Sequence, residues 1–191
     1  SVKNKFYSMN NDYFTNYTEV FLKNINDLSK AEKSLKILEK KILKIKKSKR
    51  TIFFFGNGGS ASIASHCAID YAKNSNIKTQ AFTNGEMITC LANDYGHSNW
   101  MKEACKIFIE KNDLVIFISS SGNSMNHVNA ARYCKKNKIY SFSLIGFNKN
   151  KLSKITDLNY IVSYENDYYT PCSPALDGNV YSLSYDSNNN I

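Results

Sequence analysis

Four serine hydroxyls and one glycine are concentrated in Ser119-Ser120-Ser121-Gly122-Asn123-Ser124. The stretch follows an apolar run, Leu114 to Ile118, and precedes a segment with helical character, Met125 to Lys136. A strand handing over to a helix leaves backbone N–H groups unpaired beside the positive end of a helix dipole, which suits an anion such as phosphate. Serine hydroxyls donate to phosphate oxygens without adding a fixed charge, so a bound ligand can still leave. Isolated serines in a loop are ordinarily turn residues. Clustered at the carboxyl end of a buried strand, these point to phosphate binding.

A second stretch in the same context is Gly56-Asn57-Gly58-Gly59-Ser60. It satisfies a loose dinucleotide fingerprint through Gly56, Gly58 and Ala61. The acid that would hold a ribose is missing, however, because Phe82-Thr83-Asn84-Gly85 stands at the end of the next strand. No Gly-Lys-Ser/Thr occurs, so a Walker loop is excluded. Several small residues together read as backbone meeting a ligand closely. His66 and Asp70 share a helix face at i, i+4, the spacing a common metal would need; on spacing alone the pair reads as structural. His97 and His127 read as surface histidines.

The surrounding pattern must position these loops. Tyr13, Tyr17, Val20, Phe21 and Ile25 recur at helical spacing, and so do Leu35, Leu38, Ile42 and Ile45, which predicts an amphipathic helix pair within residues 1–50. Strands are predicted at Thr51–Phe55, Lys78–Phe82, Asp113–Ile118, Ile139–Ile145 and Leu158–Val162. Helices are predicted at Ala61–Tyr71, Met87–Ala92, Trp100–Ile109 and Met125–Lys136. Strands alternating with helices imply an α/β fold with a mostly parallel sheet covered on both faces. Residues 1–163 read as one domain. Residues 164–191 hold both prolines of the chain and read as an irregular tail.

Gly56-Asn57-Gly58-Gly59-Ser60-Ala61, Asn93-Asp94-Tyr95-Gly96 and Asp113 through Ser124 together resemble the sugar isomerase (SIS) domain of phosphoheptose isomerases. The likeness in order, spacing and context extends from about Phe6 to Val162. It implies a flavodoxin-like three-layer sandwich with a five-stranded sheet, and a homotetramer or homodimer with active sites between subunits. The implied reaction converts sedoheptulose 7-phosphate to a manno-heptose 7-phosphate for the heptose of lipopolysaccharide or capsule. On this resemblance Asn57, Gly58, Gly59, Ser60, Asn93 and Asp94 contact the sugar, and Ser119, Ser120, Ser121 and Ser124 cradle its phosphate.

The same resemblance places His66 at a zinc-binding histidine and Asp70 at a metal-binding glutamate that is the proposed general base. Aspartate is one methylene shorter, which matters where catalysis depends on hydrogen-bond reach. The family also closes with a helix whose glutamine and histidine bind the metal. Nothing after Leu158 contains either type here; the one glutamine is Gln80, and the histidines are His66, His97 and His127. Zinc would therefore have His66 and Asp70 as its candidate ligands. A non-catalytic SIS module that binds a phosphosugar or a protein partner is the alternative.

Composition narrows the rest. Lys and Arg outnumber acids 25 to 16, giving +9. Much of the excess lies in Lys40 to Arg50, which reads as the solvated face of a helix, so nucleic-acid binding is not expected. Five scattered cysteines, never in a C-x-x-C pair, argue against a disulfide framework and for a reducing compartment. No apolar run approaches a membrane span and no signal peptide is visible, so no membrane association is expected and a cytoplasmic setting is.

Overall fold

A computed structural model describes residues 31–162, together with Thr15, Thr18, Glu19 and Leu22. The chain divides into two units, Ser1–Lys33 and Ser34–Ile191, and the architecture below belongs to the second. Tyr13, Tyr17, Val20, Phe21 and Ile25, which carry the first expected helix, and residues 164–191 lie outside the described residues.

Helix α1 spans Glu32–Lys47 and strand β1 Thr51–Phe55. Next come α2 (Gly59–Ser75), β2 (Lys78–Ala81), α3 (Gly85–Tyr95), α4 (Trp100–Phe108) and β3 (Leu114–Ser119). Helix α5 (Met125–Lys136), β4 (Tyr140–Ile145), a 3-10 turn (Leu152–Lys154) and β5 (Leu158–Ile161) complete the order. All five strands are parallel, in the order β2-β1-β3-β4-β5. This is the doubly wound, flavodoxin-like arrangement, in which chain direction across the sheet reverses between β1 and β3.

Side chains on the strands alternate between two cores, as the pleat requires. Phe53, Phe55, Val115 and Phe117 face a core shared with α3, α4 and α5. Ile52, Phe54, Leu114, Ile116 and Ile118 face a second core with α1 and α2. Each fully buried Phe or Ile contributes about 2 kcal/mol of transfer free energy, so the central strands β1 and β3 anchor the sheet. β2 alternates exposed and half-buried residues, as an edge strand does.

Several expectations are corrected. α2 begins at Gly59, so the glycine loop runs directly into the helix, and α3 extends through Asn93, Asp94 and Tyr95 instead of stopping at Ala92. On α1, Leu38, Ile42 and Ile45 are buried, but Leu35 is 47% exposed because it lies off the stripe that meets the sheet. The basic run is not uniformly solvated. Lys41 Nζ sits 4.0 Å over the Tyr140 ring, and Arg50 pairs with Glu110 at 2.8 Å and Asp113 at 3.2 Å. Asp113 also accepts from the backbone N–H groups of Thr51 and Glu110, which clamps the amino ends of β1 and β3. Cys67, Cys90, Cys105 and Cys134 are free thiols. Among the described residues no helix is long and apolar enough to cross a membrane.

Candidate functional site

The glycine loop leaves β1 and the serine loop leaves β3, the two strands that flank the reversal in sheet order. Ligands of open parallel sheets bind outside the carboxyl ends of the strands at such a point. Backbone geometry explains the glycines. A Cβ on Gly56 would lie 2.2 Å from the Ser60 carbonyl oxygen, so only glycine permits the turn to close onto the first residues of α2. Gly122 has φ +62°, and a Cβ there would meet Asn150 at 2.8 Å.

The serine loop is braced from within and from one side. Ser119 Oγ accepts from Gly122 N–H at 3.1 Å and Ser121 Oγ from Asn123 N–H at 3.2 Å. The Gly122 carbonyl accepts from the N–H groups of Lys151 and Leu152, and the Asn123 side chain bonds both Lys149 O and Lys151 N. Ser119 is buried, so its hydroxyl shapes the loop from inside. Ser124 is different. It occupies the N-cap of α5 yet makes no side-chain capping bond, which leaves its hydroxyl and the helix N-terminus open to an anion.

The two loops are joined by an asparagine pair. Asn57 Nδ2 donates to Asn126 Oδ1 at 3.1 Å, and Asn126 Nδ2 donates back to Asn57 Oδ1 at 3.0 Å. Asn57 Nδ2 also lies 3.3 Å from His127 Nδ1. The His127 backbone N–H donates to Asn126 Oδ1 at 2.9 Å, which fixes that amide and, through the reciprocal pair, turns the Asn57 nitrogen toward the ring; Nδ1 then accepts and the imidazole is neutral.

His127 is not a surface residue: it is fully buried, with its ring edge against Phe117 at 5.9 Å. Burial lowers its pKa to about 4, and the Phe55 and Ile118 carbonyls work against that shift without reversing it. Nε2 has no aligned hydrogen-bond partner among the described residues. Sequence reasoning missed Asn126 altogether and misplaced His127. The available signal was helical phase: both lie in the first turn of α5, on the side that returns to the sheet.

The other expected site residues stand apart. Ser60 is buried at the start of α2. Asn93 and Asp94 are exposed on the last turn of α3, where Asn93 Nδ2 donates to Asp94 Oδ1 at 3.1 Å, and no described hydrogen bond links them to either loop. His66 Nε2 and Asp70 Oδ2 form a 3.2 Å pair on α2, with the side chains 80% and 51% exposed. A catalytic zinc takes three protein ligands, and no group of three or more His, Cys, Asp or Glu suited to a metal occurs among the described residues. His66 and Asp70 therefore do not make a catalytic zinc site by themselves. Gly59 and Asp70 are eleven residues apart on one helix, about 16 Å along its axis.

Fold and loops define an α/β domain with two small-residue loops at its switch point. The family model described as "SIS domain" matches residues 13–146, and the chain belongs to that family. The phosphoheptose isomerase of Aliarcobacter butzleri is 30% identical over 122 residues, 61% of this chain and 65% of that protein. The chain thus spans just under two thirds of the length of that curated relative. Among solved structures, phosphoheptose isomerases from Neisseria gonorrhoeae and Francisella tularensis share the fold. The first has TM-score 0.68 and 24% identity, covering 80% of this chain and 86% of the other. The second has TM-score 0.70 and 21% identity, covering 82% and 84%.

Proposed function

We propose that the chain is a phosphosugar isomerase that interconverts sedoheptulose 7-phosphate and manno-heptose 7-phosphate, in a cytoplasmic route to surface polysaccharide heptose. The observation that carries this reading is the Asn57–Asn126 pair, which holds the glycine and serine loops together at one end of the sheet. The phosphate would lie on Ser120, Ser121 and Ser124 at the N-terminus of α5, with the sugar running toward Asn57 and Gly58. The relatives named phosphoheptose isomerase support the choice of sugar.

Isomerisation moves one proton from C1 to C2 of the ketose through an enediol, while a second proton passes from the C1 hydroxyl to the C2 oxygen. Asp70 is assigned the carbon-to-carbon shuttle. The rise of about 16 Å between Gly59 and Asp70 carries that carboxylate away from its own chain's cradle. A second copy of the chain supplies it in this reading, which makes a homodimer or homotetramer the working form. Zinc, if bound, would be held by His66 and Asp70 with further donors and would polarise the sugar oxygens.

Turnover decides the matter. Purified protein is incubated with sedoheptulose 7-phosphate, with and without zinc, and the aldose product is followed by 31P and 1H NMR. Product formation supports the proposal. Thermal stabilisation by the sugar phosphate with no turnover under either condition replaces it with a binding module.

A further inference from the structure

Helices α4 and α5 pack side by side on one face of the sheet, and their outer sides enclose an open cleft of about 480 Å³. Lys102 and Lys106, one turn apart on α4, line it opposite Arg132 and Lys136, one turn apart on α5. One end is tied shut: Asn129 Nδ2 donates to the Ser98 carbonyl at 2.9 Å and to Asn99 Oδ1 at 3.3 Å. Tyr133 and Asn137 complete the wall.

Two of the four cations, Lys102 and Lys106, share one carboxylate. Glu103, itself buried, accepts from Lys106 at 2.8 Å and from Lys102 at 3.2 Å. Among the described residues Arg132 and Lys136 have no acidic partner. An anion entering the cleft would meet these two cations without displacing an internal carboxylate. Lys106, Arg132 and Lys136 are exposed and Lys102 is half-buried, and all four line the cleft, whereas Lys135 on the same helix does not.

We propose that this cleft is a second anion site that takes a small ligand with linked phosphoryl groups, inorganic polyphosphate and nucleoside triphosphates sharing that chemistry. Along each helix the paired cations are about 6 Å apart, the span of two or three linked phosphoryl groups. Nucleic-acid duplexes are held through roughly six to ten phosphate contacts along a longer track, more than four convergent cations provide. The site is separate from the serine cradle. Arg132 and Lys136 follow Ser124 along α5 by about 12 and 18 Å of helix.

Isothermal titration of the full chain at constant ionic strength, with tripolyphosphate, ATP and orthophosphate, tests the site. Tripolyphosphate is expected to bind once per chain and at least tenfold more tightly than orthophosphate. Arg132→Gln with Lys136→Gln should weaken it by roughly tenfold or more, the scale of one or two lost charge-assisted contacts, without moving the thermal midpoint. Arg132→Lys should recover part of the loss. Ser121→Ala with Ser124→Ala, in the cradle, should leave tripolyphosphate binding intact. ATP binding more tightly than tripolyphosphate assigns a base to the Tyr133 wall, and equal affinity assigns the phosphate chain alone. The proposal is overturned by absent tripolyphosphate heat, by loss of binding in the serine variant but not the Arg132/Lys136 variant, or by a short DNA duplex that outcompetes tripolyphosphate for the same residues.

Discussion

Asn57 and Asn126, 69 residues apart in sequence, exchange both of their amide hydrogen bonds, at 3.1 and 3.0 Å. The glycine loop and the first turn of α5 therefore each depend on a side chain from the other, and Asn126 is 1% exposed, so water cannot replace a lost partner. Removing one member of a buried hydrogen-bonded pair costs about 2 kcal/mol, because the survivor is left unsatisfied. Asn126→Ala and Asn57→Ala should each destabilise on that scale. The double variant should lose less than the sum, with a coupling of about 1 kcal/mol or more. Denaturant unfolding of the four proteins measures it, and strict additivity would refute the pairing.

His127 makes stability depend on pH in a defined window. Its folded pKa of about 4 lies below the ordinary 6.5, so as pH falls the unfolded chain takes up the proton first. Stability is full above about 6.5 and declines as pH falls toward 4. By pH 5 the expected loss is about 2 kcal/mol. His127→Gln removes this component, so the difference between unfolding free energies at pH 7 and pH 5 should shrink by that amount. Equal pH dependence in the two proteins would contradict a buried neutral imidazole.

The serines should divide into scaffold and ligand roles. Ser119→Ala leaves the buried Gly122 N–H without its acceptor and should cost about 1–2 kcal/mol of stability. Ser124→Ala removes a hydroxyl with no internal bond, so stability should change by less than about 0.5 kcal/mol. Affinity for a sugar phosphate should instead fall about tenfold, the loss of one hydrogen bond to a charged group. Thermal melts with and without sedoheptulose 7-phosphate separate the two.

Asp70 tests the shared site. It is half exposed and, among the described residues, its ion pair is with His66, so Asp70→Asn should leave stability within about 0.5 kcal/mol of the parent. Turnover should drop by about 100-fold or more, the usual worth of a positioned general base. Mixing Asp70→Asn chains with Ser124→Ala chains under conditions that exchange subunits should restore part of the activity, since one pairing combines an intact cradle with an intact Asp70. No recovery in exchanged oligomers would mean that base and cradle do not meet across a subunit boundary.

Local chemistry carried much of this structure. The apolar runs from Ile52 to Phe55 and from Leu114 to Ile118 had to be buried strands, because nothing in them favours water on either side of a pleat. Helix α5 is bounded by residues that read as its ends, Ser124 before Met125 and Asn137 after Lys136. The serine loop's place at a strand-to-helix junction followed from those two elements.

Sequence by itself thus determined the elements, their alternation and the two loops at the carboxyl ends of β1 and β3. Tertiary structure decided which residues those loops face. A periodic pattern says which side of its own helix a residue lies on, but not what packs there. Leu35 shares the helical spacing of Leu38 yet faces solvent, while His127 and Asn126, polar and unremarkable in a helix start, are sealed against β1 and β3. Arg50, one more cation in a basic run, closes onto Asp113 across 63 residues. Whether a polar side chain is solvated or locked depends on strand order, and strand order is a property of the assembled sheet.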